Sequence, residues 1–124
     1  MMRGILTEQR EALIRLTVVG PRSRKRSIEA AIDTGYDGYL TLPPELIEEL
    51  GLKWRRRGKA ELADGGETTF DVYEGAVIWD NQRRRIEVDA ANTAPLVGME
   101  LLDGYELKIK VKAGGRITIR RLRR

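Results

Sequence analysis

Punctuation restricts the fold of this chain more than any other feature. Turn signals recur along it: "GPRSRKR" at Gly20–Arg26, "YDG" at Tyr36–Gly38, "ADGGE" at Ala63–Glu67, "DNQ" at Asp80–Gln82 and "AGG" at Ala113–Gly115. Glycine, asparagine, aspartate and proline break regular structure because of their special backbone freedom or side-chain competition. What lies between is short and alternating. Ala12–Val19 and Ile28–Ile32 read as a strand pair, the second ending at Asp33. "YLTL" at Tyr39–Leu42 is a short strand. Lys59–Leu62 and Thr68–Tyr73 form a hairpin around "ADGGE", with Glu74 and Gly75 expected to bulge before "AVIW". Arg83–Val88 is a further strand, and "YELKIKVK" with "RITIRRL" makes a last hairpin on Leu107, Ile109, Val111, Ile117 and Ile119.

Helices have little room. "PPELIEELG" is the clear one, with Pro44 in the first turn, Glu45 near the positive end and Gly51 past the stop. Leu46, Ile47 and Leu50 form its apolar stripe, and a shorter helix is expected around Met99–Leu102. The fold class is therefore all-β: mainly strand with one or two short helices, and no parallel βαβ array. The 124 residues, 41% hydrophobic and 34% charged, suit a single domain over 1–124. Residues 1–11 read as an N-terminal extension or interface arm, and 121–124 as a basic tail. Trp54 is expected to anchor core after the helix, and Tyr73 and Trp79 to pack in the sheet.

There is no cysteine and no histidine. Disulfides, thiol and imidazole catalysis are thereby excluded, and acid–base chemistry falls to carboxylates, lysine, tyrosine or water. No apolar run reaches membrane-spanning length, and the start lacks the pattern of a signal peptide, so a cytoplasmic location is expected. The formal net charge is +4, with basic clusters at Lys53–Lys59, Arg83–Arg85 and Arg120–Arg124. Such runs solvate strand surfaces and edges, or bind nucleic-acid phosphates. A basic nucleic-acid-binding β domain is one reading that follows.

Asp33 stands where a strand ends, followed by Thr34 and Gly35. A rigid strand is a good mount for a catalytic carboxylate. The same three residues also make an ordinary turn, in which the carboxylate bonds its own backbone. By composition alone the triplet arises in roughly one chain in fifty of this length, so it decides nothing by itself. Its surroundings add more. Ala31 and Ile32 precede it, Tyr36 follows, and a strand begins at Tyr39; later, "PLVGMELL" sets Leu96, Val97 and Gly98 before a short helix. With a glycine-bearing hairpin between them, this pattern resembles the retropepsin-like aspartic proteases in their small single-domain prokaryotic form, over roughly Leu13 to Ile119.

The resemblance implies an acid-protease barrel with one half-site per chain, completed in a two-fold homodimer. It implies an aspartic endopeptidase acting on a peptide or protein substrate, with no metal or organic cofactor. Asp33 would be the catalytic carboxylate. Thr34 would lock the paired loops, and Gly35 would let substrate backbone approach. Tyr36, Asp37 and the flap residues Asp64, Gly65 and Gly66 would meet substrate. Leu96, Val97 and Gly98 would support the site. Two features depart from the family pattern. Tyr36 stands where a small residue is usual, so its ring narrows the pocket, lines a specificity site or points inward. Met99 stands where an arginine would pair Asp37, which leaves Asp37 to find Arg3, Arg10 or Arg15, in its own chain or the partner. A catalytically inactive dimeric module of the same fold, binding peptide or serving assembly, is the companion reading.

Overall fold

The computed structural model describes residues 1–123. Ten strands join in one sheet system: β1 (Met2–Leu6), β2 (Ala12–Val19), β3 (Lys25–Ile32), β4 (Leu40–Leu42), β5 (Lys53–Glu61), β6 (Glu67–Trp79), β7 (Gln82–Ala90), β8 (Leu96–Val97), β9 (Tyr105–Ile109) and β10 (Arg116–Arg121). Two α-helices, α1 (Pro44–Leu50) and α2 (Met99–Leu102), and a short 3-10 turn at Pro21–Ser23 complete it. The strand order is β5-β6-β7-β4-β8-β3-β2-β1-β10-β9, and β6 also pairs with β2. That extra pairing closes a hydrogen-bonded circuit of six strands: β2, β3, β8, β4, β7 and β6. Most pairs are antiparallel; β3–β8 and β4–β7 are parallel.

Alternation drives the packing. Ala12, Ile14, Leu16 and Val18 of β2 face inward, as do Ile28 and Ala30 of β3. Leu40 and Leu42 of β4, Val88 of β7, and Ile117 and Ile119 of β10 are fully buried. Ile47 and Leu50 of α1 close over the same core. Gly51, at φ 67, takes the left-handed turn that ends α1 and returns its N–H to Glu48 and Ile47 carbonyls. The β6–β7 turn uses Asp80 and Asn81, both at positive φ, the backbone that a two-residue hairpin of matching twist requires.

Several expectations are corrected. Trp54 is not a core anchor: it is 54% exposed, because β5 is an edge strand and its indole lies on the outer face, donating to Asp71 at 3.1 Å. The irregularity in this hairpin falls between Trp54 and Arg56, not at Glu74–Gly75, where β6 runs on in register with β7. The last hairpin strand stops at Ile109, and Val111 lies in the following turn. Residues 2–6 form β1, hydrogen-bonded to β2 on one side and β10 on the other. β10 is likewise flanked by β1 and β9, so neither of its edges is free. The unpaired edges are β5 and β9. Of the basic tail, Arg121 ends β10, and Arg124 lies outside the described residues.

Candidate active site

β3 pairs with β8 through Ala31–Leu96 and Ile32–Val97, and the chain leaves the sheet at Asp33. The Asp33 N–H donates to the Val97 carbonyl at 2.9 Å. The Gly35 N–H donates to Asp33 Oδ1 at 2.9 Å, and the Tyr36 N–H to the Asp33 carbonyl at 3.1 Å. One carboxylate oxygen is therefore fixed by its own turn. Thr34 and Gly35 are exposed, and the Thr34 hydroxyl has no hydrogen-bond partner among the described residues.

The loop after Asp33 is stapled to the start of α2. Tyr36, Gly38 and Tyr39 carbonyls accept from Met99 (2.8 Å), Glu100 (3.1 Å) and Gly98 (3.0 Å). These donors are among the N–H groups that a helix start leaves without intrahelical partners. The closeness requires glycine at 98. A Cβ there would lie 2.2 Å from the Gly38 carbonyl oxygen and 2.8 Å from that of Tyr36. Leu96 and Val97 set the height of this brace through their pairing with both β3 and β4. Thr41 is buried and accepts the Leu96 N–H on its hydroxyl at 3.0 Å.

Tyr36 takes the inward option. Its hydroxyl donates to Asp89 Oδ2 at 2.6 Å, and the residue is only partly exposed. Burial first, then the bond to Asp89, raises the phenol far above its ordinary range, so the proton stays on tyrosine. Burial also raises Asp89, against the opposing pull of the Tyr36 bond. Asp37 is exposed and has no ion pair among the described residues: Arg15 lies beside Glu29 at 3.6 Å, and no arginine replaces the one missing at Met99.

Two concavities flank the loop. One, of about 360 Å³, holds Asp33, Thr34 and Leu96 together with Arg10, Ile109 and Val111. The other, of about 950 Å³, lies under the β5–β6 hairpin and is lined by Asp37, Gly38, Tyr39, Gly58, Phe70 and Asp89. Tyr36 lines neither, and the hairpin tip Asp64–Gly66 stands clear of both. That tip is a tight turn: Gly65 sits at φ 87 and Asp64 Oδ1 accepts the Gly66 N–H at 2.8 Å. Sequence reading missed Asp89, and it named Arg10 only as a partner for Asp37 and Ile109 and Val111 only as hairpin packing, not as walls of the Asp33 cavity. Asp89 sits 53 positions from the tyrosine it binds, and nothing in "IEVDA" separates it from an ordinary strand acid.

No family model matches this chain, and no curated protein matches it. Among solved structures, a retropepsin-like aspartic protease from Rickettsia conorii superposes with a TM-score of 0.59 at 14% sequence identity, covering 98% of this chain and 91% of that one. At that identity the likeness is one of fold: the chain shares the mainly-β topology of a retropepsin-like protein over nearly its whole length.

Proposed function

We propose that the protein is an aspartic endopeptidase that works as a two-fold homodimer, with Asp33 of each subunit forming the catalytic pair. The observation that carries this reading is the mounting of Asp33. Asp33 lines an open cavity, on a loop braced by β8 and α2, within a retropepsin-like topology. The closed six-strand circuit supports the barrel part of the reading. One chain offers one such carboxylate, and a cleft with two requires a second copy.

In the pair, two close carboxylates share one proton. (The aspartic-protease dyad is a well-known instance of this coupling.) The ionised member removes a proton from a bound water while the protonated member donates to the peptide carbonyl oxygen. Water oxygen bonds to the carbonyl carbon, giving a tetrahedral intermediate. Its collapse breaks the C–N bond as the dyad returns a proton to the leaving amine. Thr34, whose hydroxyl is unbonded among the described residues, would bond the partner loop. Asp37 and the groove beneath the hairpin would hold flanking substrate residues, with Gly65 and Gly66 giving the flap tip its turn. Tyr36 acts as a positioning residue for this loop.

The test is hydrolysis of a peptide library by purified protein, read by mass spectrometry. Asp33→Asn should lower the rate by about a hundredfold or more while leaving the dimer intact. Hydrolysis should fall at high pH, where both carboxylates are ionised. Cleavage unchanged in the variant would remove Asp33 from the mechanism. Peptide binding without cleavage in the parent protein would favour the inactive module. The nucleic-acid reading loses one of its motives, since Arg55, Arg56 and Arg57 lie beside Glu74, Glu87 and Asp71 respectively.

A further inference from the structure

Two arginine runs that lie far apart in sequence converge at one place. Arg83 and Arg84 of β7 and Arg121 and Arg123 at the chain end line a concavity of about 710 Å³, with Trp79 and Tyr105 among its remaining walls. It shares no lining residue with the cavity at Asp33 or the groove under the hairpin. Its single lining carboxylate is Asp103. Four cations face Asp103, with Asp80 acting on Arg121 from behind Tyr105, which still leaves an excess of positive charge, unlike β5, where three consecutive arginines each meet a carboxylate.

The arginines are oriented without being neutralised. Arg84 donates to the Leu101 carbonyl at 3.1 Å and the Glu100 carbonyl at 3.5 Å, and its guanidinium lies 5.5 Å from the Tyr39 ring centre. Arg121 lies over the Tyr105 ring at 5.9 Å. Arg83 makes no ion pair among the described residues. A second observation is independent of charge. Among the described residues, the one buried side-chain polar atom without a partner is the indole N–H of Trp79. Trp79 is 2% exposed, lines this concavity and is fixed edge-on to Tyr105 at 5.8 Å. That N–H is sealed from solvent, so a ligand in the concavity is reported by Trp79 through the ring and its neighbours, not by accepting from this donor.

From these we infer that this cavity is an anion site for a small ligand carrying linked phosphoryl groups, such as a polyphosphate chain. Guanidinium forks match phosphoryl oxygens in pairs, and a run of such groups uses several arginines at once. Trp79 is buried and Tyr105 already carries Arg121, so no ring is free to stack a base; the site reads charge. This inference does not depend on the protease reading.

The test is calorimetric titration of the full chain with inorganic triphosphate at low ionic strength, with a parallel titration followed through the indole N–H resonances. Saturable binding of one equivalent is expected. The Trp79 indole signal should move, and that of Trp54, identified in a Trp54→Phe variant, should stay. Arg83→Gln/Arg121→Gln should weaken binding about tenfold or more, while Arg55→Gln/Arg56→Gln, equal in charge removed, should not. Adenosine triphosphate should bind no more tightly than triphosphate; tighter binding would show a base-reading surface that this site lacks and would overturn the assignment to a phosphoryl chain. Absence of saturable binding, movement of Trp54 but not Trp79, or binding only by a long oligonucleotide would overturn it. The resonance titration of the parent protein decides the matter even if the double variant does not fold.

Discussion

Tyr36 and Asp89 form a couple whose chemistry is set by where each is held. The loop turns the tyrosine ring away from the Asp33 cavity, and the phenol proton stays put because burial and an adjacent acid both oppose its loss. Asp89 has the reverse problem. Burial favours its neutral form, Glu87 and Asp37 add to that, and only the Tyr36 hydrogen bond and Arg56 oppose it. Its folded carboxyl therefore binds a proton more tightly than the unfolded one. Between those two affinities the native state holds more protons, so stability falls as pH rises from the ordinary carboxylate range upward through the raised value. Asp89→Asn keeps an acceptor for Tyr36 and removes the titration. Urea unfolding across pH 3.5 to 7 should show that fall in the parent protein and a shallower one in the variant, with the two within about 1 kcal/mol at neutral pH. A variant that keeps the full slope would show that another group causes it.

At the scale of elements, the candidate site is a loop held by a strand and a helix start. Three carbonyls of the Asp33 loop accept from the first N–H groups around α2, and Gly98 makes the approach possible. Gly98→Ala drives a methyl into the Gly38 carbonyl, and both sides are backbone, so neither can rotate away. The expected loss is about 3 kcal/mol in denaturant unfolding, at the upper end of overpacking costs, with loss of hydrolysis even in protein that stays folded. A loss under about 0.5 kcal/mol would mean the brace is softer than its distances say. These elements differed in how far the sequence disclosed them. Helix α1 was legible because proline, acid, apolar stripe and glycine all act within one turn of each other. The Asp33 turn and the Gly98 element were legible for the same reason. β1 was not, since five residues carry little pattern and its partner β10 lies at the other end of the chain. β5 was obscured by its arginines, whose carboxylate partners sit on β6 and β7 and become neighbours only after folding. The Tyr36–Asp89 pair and the Arg83–Arg121 cavity were hidden for the same cause: each joins residues that no local spacing relates.

For the whole molecule, the surface around Asp33 argues for a second copy. The cavity is walled by Ile109 and Val111, and Val111 is 71% exposed on a turn that the Leu6 backbone pins through Gly114 and Gly115. Ile5, on the neighbouring β1, is 58% exposed. Exposed apolar side chains such as Val111 at the cavity wall gain little from facing water and much from being covered by the same surface on a twin. Two-fold symmetry doubles every contribution. In the proposed dimer, burying Val111 from each subunit would be worth about 1.5 kcal/mol a side, so Val111→Lys should cost about 3 kcal/mol per dimer and weaken association about a hundredfold. Sedimentation should then show monomer at concentrations where the parent protein is dimeric, with an unchanged far-ultraviolet spectrum. Activity per chain should rise with protein concentration in both proteins, and the curve for Val111→Lys should be displaced to higher concentration by the same factor. If dissociated subunits hydrolyse peptide as fast as the dimer, the two Asp33 carboxylates do not share a site, and the chemistry must be assigned to groups within one chain.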